Sequence, residues 1–260
     1  MFVLMRGVPV VVATMLVVLS AAVPLFAQST AVYVSATDWP PYTKQGLVSG
    51  GATTEVVRTA FGRTGLQAKV IYDAWPNAIE LARKATGDVV AYFPGYHCRH
   101  RAGFIASGPI GHGPLGFAEH VDAPLEWETL DDIGERKLKI GTVRGYANTD
   151  EFDTKVGMGW IHAIPSKNDV TGLQKLLRKR LDAVVIDKLV LEYLKATNAS
   201  LKHGANKLRF NKKLLENKTL YLCFRGDDEG NRLRKIFNRG LDQIDTKRII
   251  DDYFAKAFPR

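Results

Sequence analysis

Little in this chain announces chemistry. No Ser-His-Asp pattern, Gly-x-Ser-x-Gly elbow or pair of catalytic carboxylates stands out, so the familiar hydrolytic and acid–base arrangements have no support and no enzyme is expected. Cysteine is scarce, at two in 260 residues. His97-Cys98-x-His100 fits no standard metal spacing and has no evident fourth ligand, so neither a metal nor another cofactor is expected. Low-complexity linkers and short-period repeats are missing. After the N-terminal segment no apolar run reaches membrane-spanning length, which predicts that the rest folds in water. Charge is nearly absent at the start, where Arg6 is the only charged residue before Asp38.

What the N-terminus does have is an almost wholly apolar stretch from Val8 to Phe26, preceded by one basic residue and followed by small ones. That order predicts an export signal over residues 1–27, cut after Ala27. A cut after Ala31 and an uncleaved anchor are the alternatives. Pro9 and Pro24 near the ends of the run, and the lack of a basic stop-transfer cluster, favour cleavage. No cysteine follows the run, which argues against a lipoprotein signal. The expected location is the periplasm. Cys98 and Cys223 would then meet an oxidising compartment, where a pair can bridge if the fold brings their Cα atoms close. Otherwise they are small buried side chains.

The composition is that of a protein with a real core, 46% hydrophobic and 24% charged. The formal charge of +9 is spread over Arg99/Arg101, Arg178-Lys179-Arg180, Lys212-Lys213 and Arg232/Arg234/Lys235. A spread excess reads as solvated faces and predicts no nucleic-acid partner. An anionic membrane surface or cell-wall polymer is a more natural neighbour.

The apolar pattern alternates between periods of two and about three and a half. Val32–Ala36, Ala68–Tyr72 and Asp88–Phe93 read as strands, separated by helices over Thr53–Arg63 and Asn77–Lys84. The pattern restarts with strands at Leu138–Val143, His162–Ile164 and Leu181–Ile186 and helices at Thr149–Lys155, Val170–Lys179 and Leu189–Lys195. A strand at Thr219–Phe224 and two helices carrying Leu233–Ile244 and Ile249–Phe254 close the chain. Repeated β-α-β units of this length predict an α/β fold with parallel strands between helices, in two units.

The most informative stretch is Asp38-Trp39-Pro40-Pro41-Tyr42, directly after the first strand. Its prolines stiffen the turn, so the rings of Trp39 and Tyr42 are held where a small ligand could lie against them. A packed loop aromatic is the competing reading. In order along the chain follow Thr54–Phe61, Trp75, Asp88, Ser107-Gly108-Pro109-Ile110, Leu130-Asp131-Asp132-Ile133, Ile140–Tyr146 and Arg180–Asp187. Together these resemble the bacterial extracellular solute-binding proteins of family 3, which include the polar amino-acid receptors of ABC importers. The resemblance implies a two-lobed periplasmic-binding-protein-like fold (type II) with a two-stranded hinge. Lobe 1 would comprise 28–115 plus 222–260 and lobe 2 would comprise 116–221. It implies an exported monomer that delivers a small polar ligand, an amino acid or related compound, to an ABC permease in the inner membrane.

A zwitterion in a closed cleft needs a counter-charge for each end. The resemblance gives the carboxylate to an Arg ahead of a Ser-x-Pro, best matched here by Arg101, with Arg99 second and His100 at the strict spacing. It gives the ammonium to Asp187, whose other reading is a helix N-cap. Tyr96 and Trp75 are candidate walls. Gly145-Tyr146 is a candidate donor turn, where Tyr146 and Ala147 depart from the family's hydroxyl residues. Asn77 replaces an Arg common after the Trp, which argues for a distinct ligand. Two other functions share this fold: a periplasmic dehydratase, for which Glu55 and Asp38 are the candidate acids, and a ligand sensor without a transport role.

Overall fold

The computed structural model describes residues 1–2, 31–85, 87–98 and 103–257, so almost all of the expected export segment, and Arg99, His100 and Arg101, lie outside the described residues. The first half is built as the pattern predicts. Strand β1 (Ala31–Ala36) pairs in parallel with β2 (Gln67–Tyr72) and β3 (Val89–Gly95), with α1 (Ala52–Arg63) and α2 (Trp75–Arg83) as the crossovers. Val56, Val57, Ala60 and Phe61 form the buried face of α1. A second unit comprises β5 (Lys139–Val143), β6 (His162–Ser166) and β7 (Ala183–Asp187). There β5 pairs in parallel with both neighbours.

Between the units run two strands that the apolar pattern did not reveal at full length. These are β4 (Phe104–His120) and β8 (Leu208–Arg225), antiparallel from Phe104↔Arg225 to His120↔Leu208. Hydrogen bonding therefore runs through the eight strands of the described residues in the order β2-β1-β3-β8-β4-β7-β5-β6. The strand β4 was missed because FIASGPIGHGPLGFAEH carries four glycines and two prolines, residues that normally interrupt strands. Its register shifts at Pro109, Gly111 and Gly116 absorb them. Leu115–Glu119 also pairs with β7, and Tyr221, Cys223 and Phe224 also pair with β3. Between those two regions, Gly111–Pro114 opposite Asn217–Leu220 is two strands wide. The lobe boundaries expected at 115/116 and 221/222 fall beside that stretch.

Four more helices belong to the middle of the chain: α3 (Leu130–Glu135), α4 (Asp150–Gly157), α5 (Asp169–Leu177) and α6 (Lys188–Thr197). The last two, α7 (Asp228–Leu241) and α8 (Thr246–Ala257), pack on the N-terminal unit. The ring of Phe237 on α7 lies 4.8 Å from Phe61 on α1. A Cβ at Gly240 would fall 1.9 Å from the Ala60 carbonyl oxygen, so only glycine lets the two helices approach this closely.

Cys98 and Cys223 form a disulfide, with Cα atoms 5.4 Å apart. It ties the segment after β3 to β8, and Gly95 leaves room for it, since a Cβ there would meet Cys223 Sγ at 2.6 Å. The bridge closes a loop of 125 residues, which restricts the unfolded chain strongly. We expect the Cys98→Ala/Cys223→Ala variant to lose about 2–5 kcal/mol of stability. Urea unfolding of oxidised and variant protein measures it, and equal midpoints would rule the contribution out.

Candidate functional site

The site begins at the turn after β1. Thr43 Oγ1 donates to the Thr37 carbonyl at 2.7 Å, and the Trp39 N–H donates to the Thr43 carbonyl at 2.7 Å, so the turn folds back on itself. Trp39 then stacks on Tyr42, with centroids 4.6 Å apart and planes at 21°, and meets the edge of Tyr96 at 5.9 Å. Across from it stands the turn after β5. The Tyr146 N–H donates to the Val143 carbonyl at 3.1 Å, and Gly145 adopts φ of 80°, a left-handed conformation that suits glycine. The Gly145 carbonyl accepts from Trp75 Nε1 at 3.2 Å, and the Trp75 and Tyr146 rings meet edge-on at 6.2 Å.

Asp187 ends β7 and caps α6, its Oδ1 accepting from the N–H groups of Leu189 and Val190 at 2.8 and 3.2 Å. Its carboxylate also accepts from the Tyr42 hydroxyl, 3.2 Å from each oxygen. Space for this contact comes from Gly113, where a Cβ would lie 2.2 Å from Asp187 Oδ2 and 2.7 Å from the Tyr42 hydroxyl. Among the described residues no cation pairs with Asp187, and it is 1% exposed. Burial pushes its carboxyl from the ordinary 3.8 up to about 7, against the pull of its backbone and Tyr42 hydrogen bonds. Asp169, at the start of α5, is likewise raised by burial to about 7. Tyr96 is raised well above the ordinary phenol range by burial and then by the Asp187 and Asp169 charges. Its hydroxyl is buried and has no partner among the described residues.

Between these turns lies a cavity of about 50 Å³, large enough for a few waters as it stands. Its walls include Trp39, Trp75, Tyr92, Tyr96, His97 and Tyr146. A larger cleft of about 370 Å³ shares Trp75 and Tyr146 and adds Asp38, Asp73, Arg144, Lys167 and Asp169. A larger hollow of about 680 Å³ is lined by Pro41 and residues of α6 and α8.

Of the residues singled out from sequence, Trp39, Tyr96 and Tyr146 share the small cavity, as does Trp75. Tyr42 and Asp187 are buried beside it and bonded to each other, so both fall outside its lining. The capping reading of Asp187 is realised in this conformation. Arg101, with Arg99 and His100, lies outside the described residues. Of the described residues on either side, Cys98 is held by the disulfide, and the Gly103 carbonyl accepts from the Gly226 N–H at 2.7 Å. Asn77 donates to Asp73 Oδ1 at 3.1 Å, on the exposed start of α2. Neither Glu55 nor Asp38 lines the aromatic cavity.

Sequence reading missed Tyr92, Asp169 and Lys218, and it weighed His97 only as part of a metal cluster. Lys218 is 1% exposed, yet it stands in the polar run Glu216-Asn217-Lys218, which reads as surface. Only the pairing of Lys218 with Gly113 on β4 reveals that it turns inward.

No family model matches the chain, and no curated protein matches it in sequence. Solved structures do match. The GluR0 ligand-binding core of Nostoc punctiforme, in complex with L-glutamate, has a TM-score of 0.68 at 18% identity, over 88% of this chain and all of that one. An amino acid ABC transporter substrate-binding protein from Streptococcus pneumoniae, bound to L-arginine, has 0.66 at 17% identity, over 88% and 93%. The periplasmic VFT2 domain of Bordetella pertussis BvgS has 0.67 at 20% identity, over 86% and 94%. The chain therefore has the two-lobed, periplasmic-binding-protein-like α/β fold of the solute-binding proteins of family 3 type. On this fold the cavity stands at the carboxyl ends of the parallel strands, where α/β sheets hold ligands.

The buried carboxylates give the empty protein a definite pH response. The unfolded chain releases the Asp187 and Asp169 protons near 3.8, whereas the folded chain keeps them to about 7. Their contribution to stability therefore falls as pH rises from about 4 to 7 and levels off above that. We expect Asp187→Asn to flatten part of this slope. Thermal unfolding from pH 4 to 8 checks it, and an unchanged slope in the variant would contradict the assignment.

Proposed function

We propose that this chain is an exported solute-binding protein. It captures a small polar ligand, an amino acid or a related compound, in the cleft between its lobes and presents it to an ABC permease. The observation that carries this reading is the aromatic cavity itself, set between the turn after β1 and the turn after β5, with the Trp75–Gly145 hydrogen bond joining α2 to the latter. Contacts that include this one, the Trp75–Tyr146 ring pair and Tyr42–Asp187 join the N-terminal unit to the middle unit, so parting the units would widen the cavity and closing them would exclude water. A closing cleft of this kind couples a ligand to a change of shape that a permease can recognise.

Asp187 supports the choice of ligand class. A buried carboxylate with no cationic partner is costly, and a ligand ammonium arriving in the open form would supply the missing charge. Arg101 remains our candidate for the carboxylate end. The fold neighbours solved with L-glutamate and L-arginine are in keeping with this reading.

Mature protein is expected to begin at Gln28, which intact-mass measurement of the exported form decides. Recovery of the protein in membranes with Arg6 still present would sink the cleaved-signal reading. For the ligand, a thermal-shift screen against amino acids, opines, small carboxylates and amines should find a binder that raises Tm by mass action. Asp187→Ala should then cost about 2–5 kcal/mol of affinity for an amine-bearing binder, measured by calorimetry. Turnover of a hit would move the protein to the enzymes.

A further inference from the structure

Lys218 sits in the stretch of β8 that is only two strands wide, opposite Gly113. It is 1% exposed, and its Nζ lies 2.6 Å from His97 Nε2 and 3.1 Å from Glu216 Oε2. The same nitrogen stands 5.4 Å from the centroid of the Tyr96 ring. A lysine ammonium has donors only. His97 Nε2 must therefore accept, which puts the imidazole proton on Nδ1 and leaves the ring neutral. The buried charge polarises that N–H through the ring, because hydrogen bonds in series strengthen one another in a low-dielectric site.

His97 lines the aromatic cavity, and apart from tyrosines it is the one titratable group among the described residues that does. Asp169 lines the neighbouring cleft instead, and Asp187 lies buried behind Tyr42. Tyr96, in the same wall, has a buried hydroxyl with no partner among the described residues, a group that a polar ligand atom would satisfy. The backbone that carries His97 is held on both sides. Gly95 packs on Cys223 Sγ, and Cys98 is bonded to it, so His97 is tied to the strand that bears Lys218. Binding groups preorganised in this way lose little freedom when a ligand arrives.

We infer that His97, positioned and polarised by the buried Lys218, binds the carboxylate of a ligand whose apolar or aromatic body lies among Trp39, Trp75 and Tyr146. This rests on the solute-binding reading and narrows its ligand class to carboxylates with a flat or apolar body. It also assigns the anionic end to a residue other than Arg101.

Benzoate and L-phenylalanine serve as probes and benzylamine as the control, each titrated into wild-type, His97→Ala and Lys218→Met protein. Calorimetry should show both carboxylates binding the wild type and losing roughly 10- to 100-fold in affinity in each variant, the span of a hydrogen bond to a charged group. Benzylamine should respond equally to all three proteins. Nitrogen-15 spectra of the imidazoles should show His97 as the Nδ1–H tautomer in wild type, shifted by benzoate, and a mixture of tautomers in Lys218→Met. A purely structural lysine would leave that signature and the carboxylate selectivity unchanged. If Lys218→Met does not fold, His97→Ala and the wild-type spectra decide alone. Carboxylate affinity unaffected by His97→Ala, or no carboxylate binding by the wild type, overturns the inference. An amino-acid ligand found in the screen that binds both variants normally would overturn it while the solute-binding reading stands. Benzoate bound through His97 with no natural ligand in the screen would do the reverse.

Discussion

The pairing of β4 with β8 is the constraint on which the other features depend. Residues far apart in the chain, Phe104 with Arg225 and His120 with Leu208, meet along two strands of 17 and 18 residues. At one end β8 receives β3, and at the other β4 receives β7. Each parallel unit thereby acquires a fixed place on a common axis. Where neither neighbour is present, two strands alone hold the halves together, and a two-stranded ribbon twists more easily than a wider sheet. Bending there would move the turn after β1 against the turn after β5, which is the motion a cleft needs.

The same stretch concentrates buried polar groups. Gly113, on β4, leaves room for the Tyr42–Asp187 contact, and Lys218, its partner on β8, reaches His97. The Asp187 carboxylate and the Lys218 ammonium thus lie in the interior close to the point of bending, without pairing with one another. Asp187 is engaged by the Tyr42 hydroxyl and by helix N–H groups, and Lys218 by His97 and by Glu216 Oε2. Burying the Asp187 carboxylate with no cation beside it among the described residues costs stability and leaves it disposed toward a cation that enters between the halves. The disulfide offsets part of that cost and fixes the wall that carries Tyr96 and His97.

Local pattern was enough to reveal most of the elements. The buried face of α1, the apolar strands β1, β3 and β7 and the alternation of β5, α4, β6 and α5 follow from side-chain period, because burial on one face leaves a trace in the sequence. The aromatic-proline turn was legible for the same local reason, and Trp39 does line the cavity. The glycine- and proline-rich β4 was not, since its conformation is imposed by its partners rather than by its own residues.

Chain order and hydrophobic period determined by themselves that this protein has two α/β units and a stiff aromatic turn after its first strand. Tertiary structure alone decided that Cys98 meets Cys223, that Tyr42 turns inward to Asp187 rather than toward the cavity, and that Lys218 is buried against His97. The physical reason is range. Periodicity reports which face of an element avoids water, whereas the partner of a buried polar group is set by the long-range strand pairing that brings the two together.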